Sequence, residues 1–209
     1  MTPDMIAAEL RSELMAGTLR PGAELSQVVL AERFGVSRIP IRDALRILAG
    51  EGLVEIEANR GARAIALTPA EIREIYDLRL LLECDCLRHA AERMTPATLD
   101  EIERVRRKSD LDAGTPAWAA GDWAFHLALY SPAGRPRQIA MIEALRRTCQ
   151  LHVGAYSTMP AKKPRWLSEH RSIVEHLKTG ATERAVLALR AHLEAAAEHL
   201  LGRMTHVEG

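Results

Sequence analysis

Aromatic side chains are scarce in this chain: two Phe, three Tyr and three Trp make up 4% of its 209 residues. Ala, Leu, Arg and Glu abound instead, a balance that favours helices packed through aliphatic side chains. Cysteine is also rare, and its three copies, being odd in number, exclude a disulfide framework. Cys84 and Cys86 lie two apart, on opposite sides of a helix, a poor clamp for one metal. All three are expected to be reduced thiols, mostly in the core of a cytoplasmic protein. No apolar stretch approaches the roughly 18 residues that a membrane span needs. The opening segment, MTPDMIAAELRSELMAG, is acidic and amphipathic, without the basic start and apolar run of a signal peptide. Net charge is zero, so a claim of nucleic-acid binding has to rest on a local motif. Hydrophobic residues at 47% supply a buried core and exclude wholesale disorder.

Periodicity divides the chain. Ile6, Leu10, Leu14 and Met15 fall at helical spacing over residues 3–17, and Gly17 stops that helix. LRPGAEL reads as a turn on Pro21-Gly22. A second helix follows Ser26, an N-cap candidate, with Leu30, Ala31 and Phe34 inward, and Gly35 breaks it. The next helix starts after Ser37, tolerates Pro40 in its first turn, and buries Ile41, Leu45 and Leu48. The period then drops to two. Val54 and Ile56, then Ala64, Ile65 and Leu67, alternate about a turn at Asn59-Arg60-Gly61, which predicts a short β-hairpin. From Thr68 everything reads as helix, beginning with a Thr68-Pro69-Ala70-Glu71 capping box. The expected helices are 69–93, 96–112, 115–131, 135–157, 164–179 and 181–203.

Three helices and a hairpin follow the order of a winged helix-turn-helix. The helix after the tight FGVS turn would enter the major groove with its N-terminal residues at the base edges. Ser37, Arg38 and Arg42 occupy that end. Arg38 and Arg42 are one turn apart, so both can reach one DNA face, and an Arg–guanine pair is worth roughly 1–3 kcal/mol of discrimination. The Ser37 hydroxyl and first-turn amides suit a phosphate. The hairpin tip Asn59, Arg60 and Gly61 could follow the backbone or the minor groove. Against this stands a solvated helix with ordinary Arg–acid pairs, since residues 1–66 hold eight Arg but nine acids. Placement favours DNA: the arginines gather at one helix end and one hairpin tip.

The segment Asp122 to Tyr130, DWAFHLALY, sets a carboxylate and an imidazole four residues apart on a helix face shared with Trp118, Phe125 and Leu129. An unpaired charge buried there would cost several kcal/mol. Of the eight histidines, His170 lies on a stripe with Ile173, Val174 and Leu177, and His192 faces inward with Leu189 and Ala196. Three inward imidazoles and one carboxylate on three helices suit a divalent transition metal in a bundle core; Asp–His hydrogen bonding is the simpler alternative. Arg79 could clamp a carboxylate bidentately, or could pair with Glu83 at i,i+4.

The string LAERFGVSRIPIRDALRILAGEGLVEIEANRGARA resembles the DNA-binding domain of the GntR superfamily of bacterial transcription regulators. It is similar to the FadR-like branch, whose C-terminal ligand domain (FCD) is all-helical. The resemblance spans almost the whole chain and implies a mainly α fold, a winged helix-turn-helix over 1–67 and an antiparallel helix bundle over 68–209. It implies operator contacts at Ser37, Arg38, Arg42, Asn59, Arg60 and Gly61. It implies a metal site at Asp122, His126, His170 and His192, with Zn²⁺ first and Ni²⁺ or Mn²⁺ also accommodated. Arg79 matches an Arg that often points at the ligand cavity. The chain departs from the pattern at Gln27 and Val28, where relatives often carry Glu and a small or basic residue; some relatives place a DNA-contacting Arg at the position of Val28. It departs again at Arg135, where relatives usually have Asn.

The resulting expectation is a ligand-responsive regulator, foremost a repressor, that binds a short palindromic operator as a homodimer. A small carboxylate effector in a metal-containing pocket of 68–209 would release or modulate it. Two alternatives differ in class. A metallohydrolase could use an open His3Asp site but lacks an HExxH motif and leaves the winged domain unexplained. A plain architectural DNA-binding protein is disfavoured by the absence of a basic balance.

Overall fold

The computed structural model describes residues 1–57, 61–115, 117–155 and 163–204. Asn59 and Arg60 of the expected wing tip, Pro116, Met159-Pro160 and His206 lie outside the described residues. The chain divides into two compact units. The first comprises Met1–Glu71 together with residues 144–155; the second comprises Ile72–Glu143 together with residues 163–204.

The first unit contains α1 (Pro3–Ala16), β1 (Glu24–Leu25), α2 (Gln27–Phe34), α3 (Arg38–Gly50), β2 (Val54–Glu57) and β3 (Gly61–Ala64). Thr2 caps α1 by accepting the Met5 N–H. Ile6, Leu10 and Leu14 of α1 and Ile41, Leu45 and Leu48 of α3 are buried together, as their spacing predicts. Each such side chain contributes about 1.5–3 kcal/mol of burial. The turn from α2 into α3 hangs on Gly35, whose φ of 63° is left-handed. The Gly35 N–H reaches the Ala31 and Glu32 carbonyls, and the Val36 N–H also bonds to Ala31, which closes the end of α2. Ser26 and Ser37 occupy the N-cap positions of α2 and α3, but neither hydroxyl makes a cap hydrogen bond.

The predicted hairpin is present as β2 and β3, antiparallel, with Val54 opposite Ala64 and Glu57 opposite Gly61. Two expectations need correction. Ile56, expected inside with Val54, is 52% exposed, and the inward positions of β3 are Ala62 and Ala64. The segment read as a turn also supplies a third strand: β1 pairs with β3, with Glu24 opposite Arg63. Leu151, from the later helix α7 (Pro136–Ala155), completes this unit's core.

The second unit is a bundle of α4 (Pro69–Ala91), α5 (Pro96–Asp112), α6 (Trp118–Tyr130), the first part of α7 (Pro136–Ala155), α8 (Lys163–Lys178) and α9 (Thr182–Met204). These boundaries fall within three residues of the expected ones, the ordinary scatter of helix ends. The capping box before α4 is reciprocal: the Thr68 N–H donates to Glu71 at 2.8 Å, and the Glu71 N–H donates to the Thr68 hydroxyl at 3.3 Å. Thr95 caps α5. A 3₁₀ turn at Ser131–Ala133 ends on Gly134, and a turn at Gly180 returns α8 into α9. Leu87, Phe125, Leu129, Ile142, Ile173 and Leu189 form the centre of the core. None of the described helices is long and apolar enough to cross a membrane.

Candidate functional site

Two constellations stand out. The first is the N-terminal end of α3. Ser37, Arg38 and Arg42 are all exposed there, on a helix whose opposite stripe is anchored in the core. Arg38 makes no ion pair among the described residues. Arg42 approaches Asp43 at 3.8 Å with half its side chain exposed, and Arg46 meets the same carboxylate at 3.4 Å. Such exposed pairs are worth about 0–1 kcal/mol and do not lock a guanidinium away from another partner. Gly61, the described residue of the expected wing tip, starts β3 with φ 101°, a conformation that disfavours any side chain there. Val28 is also exposed, on α2.

The second constellation lies inside the bundle. α6 contributes Asp122 and His126, α8 contributes His170 and α9 contributes His192. All three histidines are buried, and one ring nitrogen or equivalent ligand atom from each falls within 4.8 Å of the others. The ring centroids are 5.3, 5.4 and 4.7 Å apart. Asp122, a fifth exposed, places Oδ1 3.5 Å from His170 Nε2 and 3.9 Å from His126 Nε2. The four residues singled out in the sequence therefore come together across three helices. Asp122 lies near two imidazoles, and ligand atoms of the three imidazoles converge.

The surroundings hold the rings. His170 sits against Phe125 at 4.5 Å and is stacked on Trp118, which itself stacks on Trp166. His192 Nδ1 is 2.9 Å from Glu169 Oε2, and Arg165 Nε donates to the other oxygen at 2.7 Å. Burial alone would raise the Glu169 carboxyl, but the hydrogen bonds from His192 and Arg165 outweigh it and hold it below the usual range. His126 Nδ1 is 3.1 Å from the Tyr130 hydroxyl, which donates to Glu83 Oε2 at 2.5 Å. Glu83 Oε1 accepts from Arg79 Nε at 2.7 Å, and the Arg79 guanidinium lies 4.5 Å over the Tyr76 ring. Arg79 thus makes the i,i+4 pair with Glu83, and both side chains are buried. Arg135 is exposed and donates to Asp85 at 3.2 Å.

Sequence reasoning missed Tyr130 and Glu169 as neighbours of the histidines. Tyr130 could have been found by extending the Asp122–His126 spacing one more helical turn. The partnership of Glu169 with His192 joins α8 to α9 and had no local signal.

A metal fits this donor set. Three converging imidazoles, with a carboxylate beside them, are ordinary ligand types for divalent transition ions, and bonds to the far ring nitrogens are the usual support of such ligands.

Comparison with known proteins places each part of the chain in a family. Residues 2–63 match the bacterial regulatory proteins of the gntR family, and residues 74–195 match the FCD domain. The Gluconate operon transcriptional repressor of Bacillus licheniformis is 44% identical over 97 residues, 46% of this chain and 38% of its own length. That of Bacillus subtilis is 47% identical over 78 residues, so the matches span about a third of these repressors. LutR of Bacillus subtilis is 28% identical over 202 residues, 85% of this chain and 91% of its own. Among solved structures, E. coli McbR/YncC shares the fold with a TM-score of 0.80 at 23% identity, covering 97% of this chain and 98% of its own. A GntR transcriptional regulator from Rhodococcus sp. RHA1 gives 0.78 at 28% identity, covering 96% and 97%. The metal-dependent hydrolase alternative finds no support in these relatives. The chain belongs to the GntR family, with an FCD domain after its helix-turn-helix.

Proposed function

We propose that this regulator is a cytoplasmic homodimeric repressor that binds a short palindromic operator through residues 1–67 and is released by a small organic acid held in residues 68–209. The observation that carries this reading is the pairing of an exposed Ser37–Arg38–Arg42 helix end with a buried three-histidine cluster in one chain. A two-fold dimer sets two recognition helices about one DNA turn apart, so Arg38 and Arg42 of each copy would read one half-site. Ser37, whose hydroxyl makes no cap bond, is free for a phosphate, and Asn59, Arg60 and Gly61 would follow the backbone beside it. The sign of regulation takes its support from the relatives named as gluconate operon repressors.

His126, His170, His192 and Asp122 would hold a divalent ion, Zn²⁺ first and Ni²⁺ or Mn²⁺ as substitutes. When bound, the ion supplies a Lewis-acidic centre with open positions for an effector carboxylate. Arg79 would meet the same carboxylate in competition with Glu83, which now holds its Nε. Release requires that the acid bind the two arrangements of the dimer unequally; equal binding shifts nothing.

The test is selection of binding sequences from random duplex DNA, followed by a screen of carboxylic acids for displacement with Zn²⁺ present. An inverted repeat that a subset of acids releases is expected. Binding with no sequence preference, or a site without two-fold symmetry, would refute the operator reading.

A further inference from the structure

We infer that Tyr130 and Glu83 are positioning residues that fix the ring of His126 with its proton on Nδ1 and its lone pair on Nε2, the nitrogen that would face a metal. The inference rests on the metal-centre reading given above.

Proton counting along the chain of contacts leads to it. Glu83 is fully buried and accepts from the Arg79 guanidinium at 2.7 Å, so it is the ionised carboxylate of a close pair. A carboxylate can only accept. The Tyr130 hydroxyl has one proton and gives it to Glu83 Oε2 at 2.5 Å. Toward His126 Nδ1, 3.1 Å away, the hydroxyl therefore presents only a lone pair. The ring answers by carrying its proton on Nδ1. Neutral imidazole has one N–H proton, so Nε2 keeps the lone pair. It is this Nε2 that lies toward Asp122 Oδ1, at 3.9 Å.

Two features make the arrangement specific. Tyr130 is one helical turn beyond His126 on α6, so the hydroxyl and the ring are set by one rigid element, while Glu83 comes from α4. His192 repeats the pattern with different parts: its Nδ1 is 2.9 Å from the Glu169 carboxylate, which also directs the proton to Nδ1. Two of the three imidazoles are thus prepared in the same tautomer before any ion arrives. An anionic group behind the far nitrogen also raises the basicity of the ligating one. Loss of such partners typically weakens metal binding roughly 10–100-fold.

A purely structural role for the Arg79–Glu83–Tyr130 chain would leave the tautomer of His126 unconstrained, and that separates the two accounts. The first measurement is the imidazole ¹⁵N spectrum of the metal-free full-length protein. His126 is expected as the Nδ1–H tautomer in the wild type, and as a mixture or the Nε2–H form in Tyr130→Phe. The second is Co²⁺ affinity by competition with a chromophoric chelator, alongside the visible spectrum of the Co²⁺ complex. Tyr130→Phe and Glu83→Gln are expected to bind roughly 10–100-fold more weakly with an altered spectrum. An Nε2–H tautomer in the wild type overturns the inference even if neither variant folds. Co²⁺ affinity within twofold of wild type in a folded Tyr130→Phe overturns it while leaving the metal centre standing. A wild type that takes up no Co²⁺ removes both.

Discussion

His152 of α7 accepts the backbone N–H of Leu67 on Nε2 at 2.9 Å, and its other nitrogen lies 3.4 Å from the Thr148 carbonyl. The ring is buried, and only its neutral form can accept from Leu67. Burial lowers its pKa below the ordinary 6.5, against the opposing pull of the Thr148 carbonyl and Glu71. The unfolded chain therefore binds a proton near pH 6.5 that the folded chain refuses. Stability should be full above that pH and fall as the pH drops below it. Denaturant midpoints at several pH values, compared with His152→Gln, measure this. An equally steep acid dependence in the variant would show that other groups are responsible.

On a selected operator, Arg38→Ala and Arg42→Ala should each weaken binding by roughly 5–150-fold, the equivalent of about 1–3 kcal/mol, and relax preference at one base position. Arg104→Ala on α5, where the guanidinium is paired with Glu101 and exposed, should leave operator binding unchanged. Titration of labelled duplexes at fixed salt distinguishes them, since salt alone moves all such affinities. Equal losses for the three variants would remove α3 from the reading position.

Asp122→Ala, His126→Ala, His170→Ala and His192→Ala should each lower metal content measured on the purified protein. In the wild type, Zn²⁺ at a hundred times its dissociation constant should add about 2.7 kcal/mol of stability, seen as a higher Tm. The gain should shrink in acid, because imidazole ligands must be deprotonated to bind. Identical metal content in wild type and all four variants would mean that the ion sits elsewhere.

Two glycines of the DNA-binding unit should respond in opposite directions. Gly35 has nothing within 4 Å of an added Cβ, but its φ of 63° makes Gly35→Ala costly by about 1–2 kcal/mol. Gly50 also has open space, lies in the last turn of α3 without a positive φ, and Gly50→Ala should stabilise by about 0.5–1 kcal/mol. Urea unfolding of the two single variants gives both signs in one experiment. A shared sign would mean that backbone conformation is not what separates them.

Much of this architecture is legible in the chain because it is locally encoded. The 3.6-residue stripe of Ile41, Leu45 and Leu48, the Thr68–Glu71 box and the Gly35 turn each depend on residues within one or two helical turns. The histidines were legible as inward-facing for the same reason. Their convergence is not locally encoded, since α6, α8 and α9 meet through packing that no spacing records; only the family resemblance points to it. The two-residue β1 was hidden because a strand that short has no period of its own and exists through its pairing with β3. Ile56 misled because alternation assigns a face, whereas burial depends on whether a neighbour covers it. The far end of α7 offers the same lesson: Ile142 and Leu151 read alike in sequence yet enter different cores.

The scarcity of aromatics has an optical consequence. Trp118, Trp123 and Trp166 are the chain's only tryptophans, and all three lie in the helical unit, two of them stacked beside His170. Intrinsic tryptophan emission is therefore a reporter of that unit alone, with the helix-turn-helix unit dark. Any change in emission on adding operator DNA registers a signal that has crossed from one unit to the other.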